Sequence, residues 1–324
     1  MKLVVSGIKP TGRIQLGNYF GMIKEIIAMQ DKYKVFLMIA DLHAQTVPYK
    51  PAELQFLTYE LASSLLALGI DPQKTVIFKQ SDIASHLYLY WILGCLSYFG
   101  ELQLMHEFKE QAERYKKQGV GVGILMYPVL QAADVLLYNA DLVPVGKDQV
   151  QHLELARQLA RRFNKRFGQV FKIPEIYLRE ETAKIMSLDN PYKKMSKSSP
   201  EGCLEIFASE KEIKEKIKRA VTDSSNEIKF DPETKPGISN LMIIYKCLTG
   251  KVLPEIEQEF FGLGYADFKE KIIEAFFDYF KKAREKKRKI SKGMVNKILK
   301  EGARQANRIA EKNLKTILKI VGLR

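Results

Sequence analysis

The sequence predicts an α/β protein in which a parallel sheet comes first and an all-helical region follows. Up to about residue 145, short apolar, β-branched runs alternate with longer helical patterns. Such alternation is typical of a parallel sheet with right-handed crossover connections. From residue 210 onward no strand pattern remains, and amphipathic helical patterns dominate. We therefore expect a Rossmann-like sheet domain joined to a C-terminal all-helical domain.

Composition and charge narrow the class of protein. With 324 residues, 46% hydrophobic and 28% charged, the chain can bury a core and is typical of a globular protein. Lys and Arg outnumber Asp and Glu by 52 to 38, a net charge of +14, which favours a polyanionic partner over a lysine-rich surface without one. The three cysteines are far apart, which favours reduced thiols over a disulfide framework or a zinc site. No signal peptide or membrane-spanning run is evident, so we expect a cytoplasmic protein with no membrane partner.

The first strand leads into a candidate anion site. The apolar run at residues 2–5 is followed by a Gly, Pro and Thr cluster at 7–12, and a helical pattern begins near Gly17 and reaches about Asp31. Backbone N–H groups at a junction of strand, loop and helix favour a nucleotide phosphate. The spacing matches neither the dinucleotide fingerprint nor the Walker loop. A tight turn without a ligand is the alternative.

Two further strands end in polar residues. Residues 35–41 and 75–78 have the pattern of buried strands, separated by a helix at 52–69. His43 follows the first of these strands, and the polar residues 79–82 follow the second. Ligands of open α/β sheets bind at the carboxyl ends of strands. We therefore expect a binding site at this edge.

A buried helix predicted over residues 123–138 carries polar residues on one face. Tyr127, Gln131 and Asp134 lie at positions i, i+4 and i+7 of this helix, so they share a face. A phenol, an amide and a carboxylate on an otherwise apolar helix indicate a small-molecule pocket. A buried polar cluster whose members satisfy one another is the alternative.

The remaining elements complete the predicted order. We predict helices at residues 84–99 and 101–117, a fourth strand at 142–146, a helix reaching about 167, and C-terminal helices at 210–221, 238–249, 266–284 and 291–320. Asp148, after the fourth strand, is placed to accept bonds from ribose hydroxyls, although an N-cap role is the alternative. Residues 192–200 indicate a mobile surface loop, and 281–289 form a strongly basic run of the kind that is usually a solvated face.

Two short motifs carry a resemblance to a known family. Residues 15–18 read Gln-Leu-Gly-Asn, and residues 194–198, about 180 positions later, read Lys-Met-Ser-Lys-Ser. On a parallel α/β pattern, this pair resembles the class I aminoacyl-tRNA synthetases, whose first signature is usually written His-Ile-Gly-His and whose second is Lys-Met-Ser-Lys-Ser. We call these segments the first and second signatures. The resemblance covers essentially the whole chain.

Longer stretches are most similar to the bacterial tryptophanyl members of that class. Residues 127–134 look like their amino-acid specificity helix, 143–155 look like their ribose and substrate segment, and 218–224 with 235–241 match their helical domain. The tyrosyl enzymes are the close alternative, because their pocket can also use Tyr, Gln and Asp on this helix. A nucleotide- and RNA-binding relative without catalysis is a second alternative, against which the intact second signature argues.

The resemblance implies a ligase that activates L-tryptophan with ATP and transfers it to tRNA(Trp). Mg²⁺ would accompany ATP, and DNA is not an expected partner. It further implies a homodimer with its interface near residues 84–117. The implied domains are a Rossmann-like catalytic domain at 1–187 and a helical anticodon-binding domain at 188–291 that includes the second signature. A final helix at about 292–324 would pack back on the catalytic domain.

The resemblance also implies roles for individual residues. Those implied in catalysis are Lys9, Asn18, Lys194 and Lys197. Those implied in ATP binding are Lys9, Gly17, Asn18, Gly146, Asp148, Gln149, Ile185, Lys194, Met195, Ser196, Lys197 and Ser198. Those implied in tryptophan binding are Val5, Gly7, His43, Tyr127, Gln131, Asp134, Val143, Val145 and Gln149. Asp134 would accept from the indole N–H, and no protein ligand for a metal is implied because Mg²⁺ would be held through the ATP phosphates.

Several positions depart from the family pattern. Gln15 stands where the first signature usually has histidine, so the role of that position is open. Gln131 stands where many relatives have Met, and Val5 where some have Phe, which together predict a more polar pocket. Lys9 replaces a common Gln, and Gln111 stands where relatives have a phosphate-binding Lys. Three scattered cysteines cannot hold the four-cysteine iron–sulfur cluster found in some members.

Overall fold

The computed structural model describes residues 1–116, 119–178, 184–196 and 199–324. The described strands are β1 (Leu3–Ile8), β2 (Lys34–Ile39), β3 (Thr75–Lys79), β4 (Leu142–Val145) and β5 (Glu175–Leu178). The described helices are α1 (Leu16–Asn18), α2 (Lys24–Met29), α3 (Asp41–Ala44), α4 (Pro51–Leu68), α5 (Ser85–Gly94), α6 (Phe99–Gln103), α7 (His106–Tyr115), α8 (Val122–Leu136), α9 (Val150–Phe167), α10 (Glu210–Arg219), α11 (Pro236–Thr249), α12 (Leu253–Glu259), α13 (Tyr265–Lys289) and α14 (Lys292–Ile320). Over the described ranges the strands form one parallel five-stranded sheet in the order β3-β2-β1-β4-β5. The predicted α/β fold with a helical C-terminal region is confirmed.

The two faces of the sheet bury two hydrophobic cores, as the period-two alternation of strands requires. On β2, Val35 and Leu37 face the first core, whereas Phe36 and Met38 face the second. The first core includes residues of α2 and α4 and continues into α10, α11, α12 and α13. The second core includes residues of α5, α8 and α9. The helical region is therefore joined to the sheet through one continuous core.

The long helix α14 passes along the edge of the sheet. It contributes Val295 to the first core and Ala306 to the second. Between them, at Gly302, its backbone touches β3, because a Cβ atom there would lie 1.9 Å from the carbonyl oxygen of Ile77. Since β3 ends the sheet on that side, the helix covers a strand edge that could otherwise pair with another chain.

Three helices, α5, α6 and α7, replace the two that the sequence predicts between residues 84 and 117. The hydroxyl of Ser97 donates to the carbonyl of Leu93 at the end of α5 (2.9 Å), and the backbone of Tyr98 is extended, with ψ of 132°. Met105 is also extended, with ψ of 130°, and its side chain is buried in the second core. The prediction of two long helices is wrong because this burial outweighs local helix preference. The predicted end at residue 117 lies outside the described residues.

Two short elements lie outside the predicted set. β5 has four residues with an exposed-to-intermediate pattern, so it lacks the apolar alternation by which strands are recognised. The seven-residue helix α12 falls between two longer predicted helices. The helix predicted after Gly17 is present, but a π-helical turn at Tyr19–Ile23 separates its α-helical parts α1 and α2.

Candidate active site

A cavity of about 220 Å³ lies at the carboxyl ends of β1 and β4. The chain runs from β1 to β2 and β3 on one side and returns to place β4 on the other. Ligands of open α/β sheets bind at such a topological switch point. In the described chain β1 and β4 pair at one position, Val4 with Leu142. Beyond that position no strand pairing of the described residues closes the space between them.

The cavity brings together all nine residues that the sequence associates with the amino acid. These are Val5, Gly7, His43, Tyr127, Gln131, Asp134, Val143, Val145 and Gln149. Lys9, implied in catalysis, lines the same cavity. Sequence reasoning missed Ser6, Met22, Met38, Ala40, Val135 and Pro144. Met38 and Ala40 could have been found from the period-two pattern of β2, because they follow Phe36 on the face of the second core.

Asp134 is the centre of a buried polar cluster behind this cavity. Its Oδ2 lies 2.8 Å from Nε2 of His43, and its Oδ1 lies 2.7 Å from Nδ1 of His86. The side-chain amide of Gln80 donates to both carboxylate oxygens, at 2.8 and 2.9 Å. Asp134 is 2% exposed, and Gln80 and His86 are fully buried.

The donors around Asp134 keep it ionised. Burial alone would raise the pKa of this carboxyl, because a low dielectric disfavours charge. The hydrogen bond from His43 and the proximity of His86 more than offset burial, and they lower the pKa of Asp134 to about 2. An ionised carboxylate only accepts hydrogen bonds. The site can therefore recognise a ligand that presents an N–H or O–H donor.

Four elements bring this cluster together. Asp134 lies on the buried face of α8, and His43 lies on α3 directly after β2. Gln80 follows β3, and His86 lies on α5. The sequence marked residues 79–82 as polar and located at the binding edge, but it did not single out Gln80. His86 was missed altogether, because nothing in its local pattern shows what it touches.

A series of hydrogen-bonded polar side chains extends from the cavity to the turn between β4 and α9. The side-chain amide of Gln131 donates to that of Gln149 (3.5 Å). Gln149 in turn donates to the carboxylate of Asp148 (2.9 Å), which is exposed. Gly146 precedes the short 3₁₀ turn Lys147–Gln149. The residues implied in ribose binding thus lie next to the cavity.

Gln15 caps the first signature. Its side-chain oxygen accepts from the backbone N–H groups of Gly17 and Asn18. Its side-chain nitrogen donates to the carbonyl of Met195 in the second signature (3.2 Å). Gln15 is 2% exposed. The two signatures therefore touch, and the amide provides both the helix cap and the contact.

The second signature is anchored from the helical region. The backbone N–H of Met195 donates to the carbonyl of Ile185 (3.1 Å). Asn240, on α11, accepts from the backbone N–H of Met186 (2.8 Å) and donates to its carbonyl (3.0 Å). The segment that precedes the signature is thus held by a buried side chain.

The residues that the resemblance implies in ATP binding differ in how deeply they are buried. Ile185 and Met195 are buried in the first core, at 1% and 4% exposure. Lys194 and Ser196 are exposed, and Gly17 and Asn18 are half-buried. Lys197 and Ser198 lie outside the described residues.

The basic run at residues 281–289 does not face solvent throughout. Lys287 pairs with Glu60 of α4 (3.0 Å) and donates to the hydroxyl of Ser64 (2.9 Å). Arg284 donates to the carbonyls of residues 206 and 208. These two residues therefore do not form part of a solvated face, because their cations satisfy buried acceptors.

Among the described residues, no group of three or more His, Cys, Asp and Glu side chains could hold a metal ion. Likewise, none of the described helices has the length and apolar character needed to cross a membrane.

Comparisons with known proteins cover most or all of the chain. The family model for tRNA synthetases class I (W and Y) matches residues 2–281. A tryptophan–tRNA ligase from Caldanaerobacter subterraneus is 46% identical, over 100% of this chain and 99% of the relative.

Solved structures of tryptophanyl-tRNA synthetases are also similar to this chain over its full length. Tryptophanyl-tRNA synthetase from Mycoplasma pneumoniae superposes with a TM-score of 0.88 at 36% identity, over 100% of this chain and 98% of that chain. The Campylobacter jejuni enzyme complexed with ADP and tryptophan gives a TM-score of 0.87 at 36% identity, over 100% of both chains.

Proposed function

This chain belongs to the class I tRNA synthetases for tryptophan and tyrosine, and we propose that it is the tryptophan–tRNA ligase that its full-length relatives are named for. The observation that carries this conclusion is the buried, ionised Asp134 in a cavity otherwise lined mainly by apolar residues and polar amides. Such a cavity suits a flat apolar ring with one N–H donor. Tryptophan has that chemistry.

The reaction has two steps. The tryptophan carboxylate attacks the α-phosphorus of ATP, the bond to pyrophosphate breaks, and tryptophanyl-adenylate forms. A ribose hydroxyl of the terminal adenosine of tRNA(Trp) then attacks the activated carbonyl, and AMP leaves. No covalent bond to the protein is needed, so catalysis consists of positioning and electrostatic stabilisation.

Recognition of tryptophan depends on Asp134. Its carboxylate accepts from the indole N–H, while Val143 and Val145 pack against the ring. Phenylalanine would fill the apolar part of the cavity but leave the carboxylate without this donor. Sites built to hydrogen-bond a substrate discriminate by about 10⁴-fold against an analogue that lacks the group.

The two signatures hold ATP between them. Gly17 lets the backbone approach the adenine, Asn18 donates to a phosphate oxygen, and Asp148 with Gly146 holds the ribose. Charge accumulates on the leaving pyrophosphate in the transition state. Lys194 and Lys197 supply positive charge there, and Lys9 acts on the reacting carboxylate from the cavity wall.

Mg²⁺ enters bound to the ATP phosphates. When bound, the ion neutralises phosphate charge. The lysines remain the protein's own contribution to that task.

The tRNA is recognised by the helical domain at residues 188–291. The exposed cations of the basic run, among them Lys281, Lys282 and Lys286, attract the phosphate backbone, since electrostatics dominates affinity for nucleic acids. Anticodon bases are then read by stacking and edge contacts. The catalytic domain comprises residues 1–187, and the final helix packs on it.

The chain acts as a homodimer. Large apolar side chains of the region at residues 84–117 are exposed, and exposed apolar patches of this kind mark interfaces. They are Leu87, Tyr88, Trp91, Tyr98, Phe99 and Leu104. Their exposure in the single chain supports this pairing.

One assay separates the candidate functions. ATP–pyrophosphate exchange is measured with each of the twenty amino acids in turn, and we expect exchange with tryptophan only. Exchange with tyrosine would select the tyrosyl alternative. No exchange with any amino acid, from protein that still binds ATP, would select a non-catalytic binding protein.

A further inference from the structure

The Asp134 carboxylate is surrounded by more protein donors than recognition of one ring N–H requires. Nitrogens of His43, His86 and Gln80 all lie within 2.9 Å of its oxygens. A carboxylate offers about four lone-pair sites. Three hydrogen bonds, one from His43 and two from Gln80, occupy about three of these sites. Nδ1 of His86 makes a close charge contact but no hydrogen bond. About one acceptor position is therefore left for a ligand in the cavity that Asp134 lines.

The orientation of Gln80 is fixed by Asp134. If the amide were flipped, its oxygen would face the carboxylate, and two acceptors would repel each other. In the observed orientation Oε1 of Gln80 makes no hydrogen bond with any described residue. A buried acceptor without a partner is unfavourable, so the side-chain oxygen of Gln80 lowers the stability of the fold. Donation to the charged carboxylate offsets that cost.

His86 is held from its other side. Its Nε2 lies 2.9 Å from the hydroxyl of Tyr138, and its ring stacks on Phe78 with a centroid separation of 6.5 Å. Because both ring nitrogens have neighbours and the residue is fully buried, the ring cannot turn away. Nδ1 is therefore kept facing Asp134, 2.7 Å from its Oδ1, in a charge contact whose geometry makes no hydrogen bond.

We propose that Gln80 and His86 are positioning residues for amino-acid selection. They hold the Asp134 carboxylate in the orientation that leaves one acceptor position, directed at the ring N–H of the substrate. Neither residue lines the cavity, so neither contacts the substrate, and both act through Asp134. The inference rests on the proposed role of Asp134 as the indole acceptor.

This role predicts an effect that depends on the ring N–H alone. An amino acid with the same ring shape but no N–H, β-(benzothien-3-yl)-L-alanine, replaces that group by sulfur. Loss of a positioning residue should weaken binding of tryptophan and leave binding of this analogue nearly unchanged. Loss of a merely structural residue should weaken both equally.

The experiment compares dissociation constants for tryptophan and for the analogue, measured by titration calorimetry on the full chain. The variants are Gln80→Met, His86→Leu and His86→Asn. The asparagine amide can replace Nδ1 of His86 but cannot reach Tyr138. We expect tryptophan binding to weaken about tenfold or more in Gln80→Met and His86→Leu, less than threefold in His86→Asn, and analogue binding to change less than twofold in all three.

Gln30→Met is the matched control. Gln30 is also a buried glutamine, at 7% exposure, and it bonds the backbone of Gly69 (3.0 Å) and Asp71 (2.9 Å). It does not line the cavity. Its replacement should lower stability without changing the ratio of the two dissociation constants.

The outcomes are distinct. Equal weakening of both ligands in Gln80→Met and His86→Leu, or no weakening of either, overturns the positioning role while wild-type exchange with tryptophan continues. A wild-type protein that binds the analogue as tightly as tryptophan, or shows no tryptophan-dependent exchange, overturns the role of Asp134 and this inference with it. His86→Asn keeps the test decisive if His86→Leu fails to fold.

Discussion

The side-chain amide of Gln15 donates a hydrogen bond of 3.2 Å to the backbone carbonyl of Met195, 180 positions away in the sequence. The oxygen of the same amide accepts from the backbone N–H of Asn18 (3.2 Å). A single side chain thus caps the first helical turn and touches the loop of the second signature. An amide can do both because it has donor and acceptor groups at one end.

We expect Gln15→Leu to impair catalysis more than its effect on stability explains. Leucine fills the space but removes the cap, which is worth about 1 kcal/mol, and the contact with Met195. ATP–pyrophosphate exchange should show kcat lowered about tenfold or more. Gln15→His should retain most activity, because imidazole also has a donor and an acceptor. Equal rates for Gln15→Leu and the wild type would contradict this role.

The lysines of the second signature should affect rate rather than amino-acid binding. If these lysines have the proposed role, Lys194→Ala and Lys197→Ala remove charge that stabilises the departing pyrophosphate. The kcat for exchange should then fall about 100-fold or more, while the dissociation constant for tryptophan stays within about twofold. Lys193→Ala, an exposed neighbour, is the control and should keep its rate. If kcat barely moves in either signature variant, the assignment of that lysine is wrong.

The sequence could predict the residues that share one element, but not the partners contributed by other elements. Tyr127, Gln131 and Asp134 lie on one helix, so the helical period placed them on one face. Gln80 approaches Asp134 from 54 positions away, and His86 does so from another helix. No local sequence pattern predicts that these side chains contact Asp134, because the contacts depend on how β3, α5 and α8 pack. The glutamine at position 15 had no predicted role for the same reason.

The charge pattern of the basic run at residues 281–289 likewise could not predict which of its cations are buried. Its composition indicates a solvated face, yet Lys287 lies against Glu60 with 17% and 15% of the two side chains exposed. Which cation of such a run turns inward depends on the acceptors that α4 presents. Only the packed structure contains that information.

We expect Lys287→Met to destabilise the protein by about 3 kcal/mol. The substitution leaves Glu60 largely buried without its cation, and breaking such a pair costs more than the pair contributes. The thermal unfolding midpoint should fall clearly. Lys286→Met, at an exposed position next to it, should shift the midpoint by less than a quarter as much. Similar shifts in both variants would show that the ion pair between α13 and α4 is not a stabilising contact.

Asp134 should remain ionised well below neutral pH. Its pKa in the folded state is about 2, against an ordinary value of 3.8. A depressed pKa means that the carboxylate stabilises the fold above about pH 3.8, and that this contribution is lost as the pH falls towards 2. In protein labelled with ¹³C at aspartate carboxyls, the signal absent from Asp134→Asn should not titrate between pH 7 and 4. A midpoint above pH 4 would show that burial outweighs the histidine contacts.

The exposed aromatic patch on α5 should control assembly. Trp91 is 70% exposed, a state that is unfavourable for so large an apolar side chain unless a partner covers it. Trp91→Glu places a charge in the proposed interface, where desolvation without a partner opposes association. Sedimentation equilibrium should therefore find a dimer for the wild type and a monomer for Trp91→Glu. Phe261→Glu changes an aromatic residue that is 90% exposed elsewhere, and it should leave the dimer intact. A monomeric wild type, or dimers of unchanged affinity in Trp91→Glu, would show that this patch is not the interface.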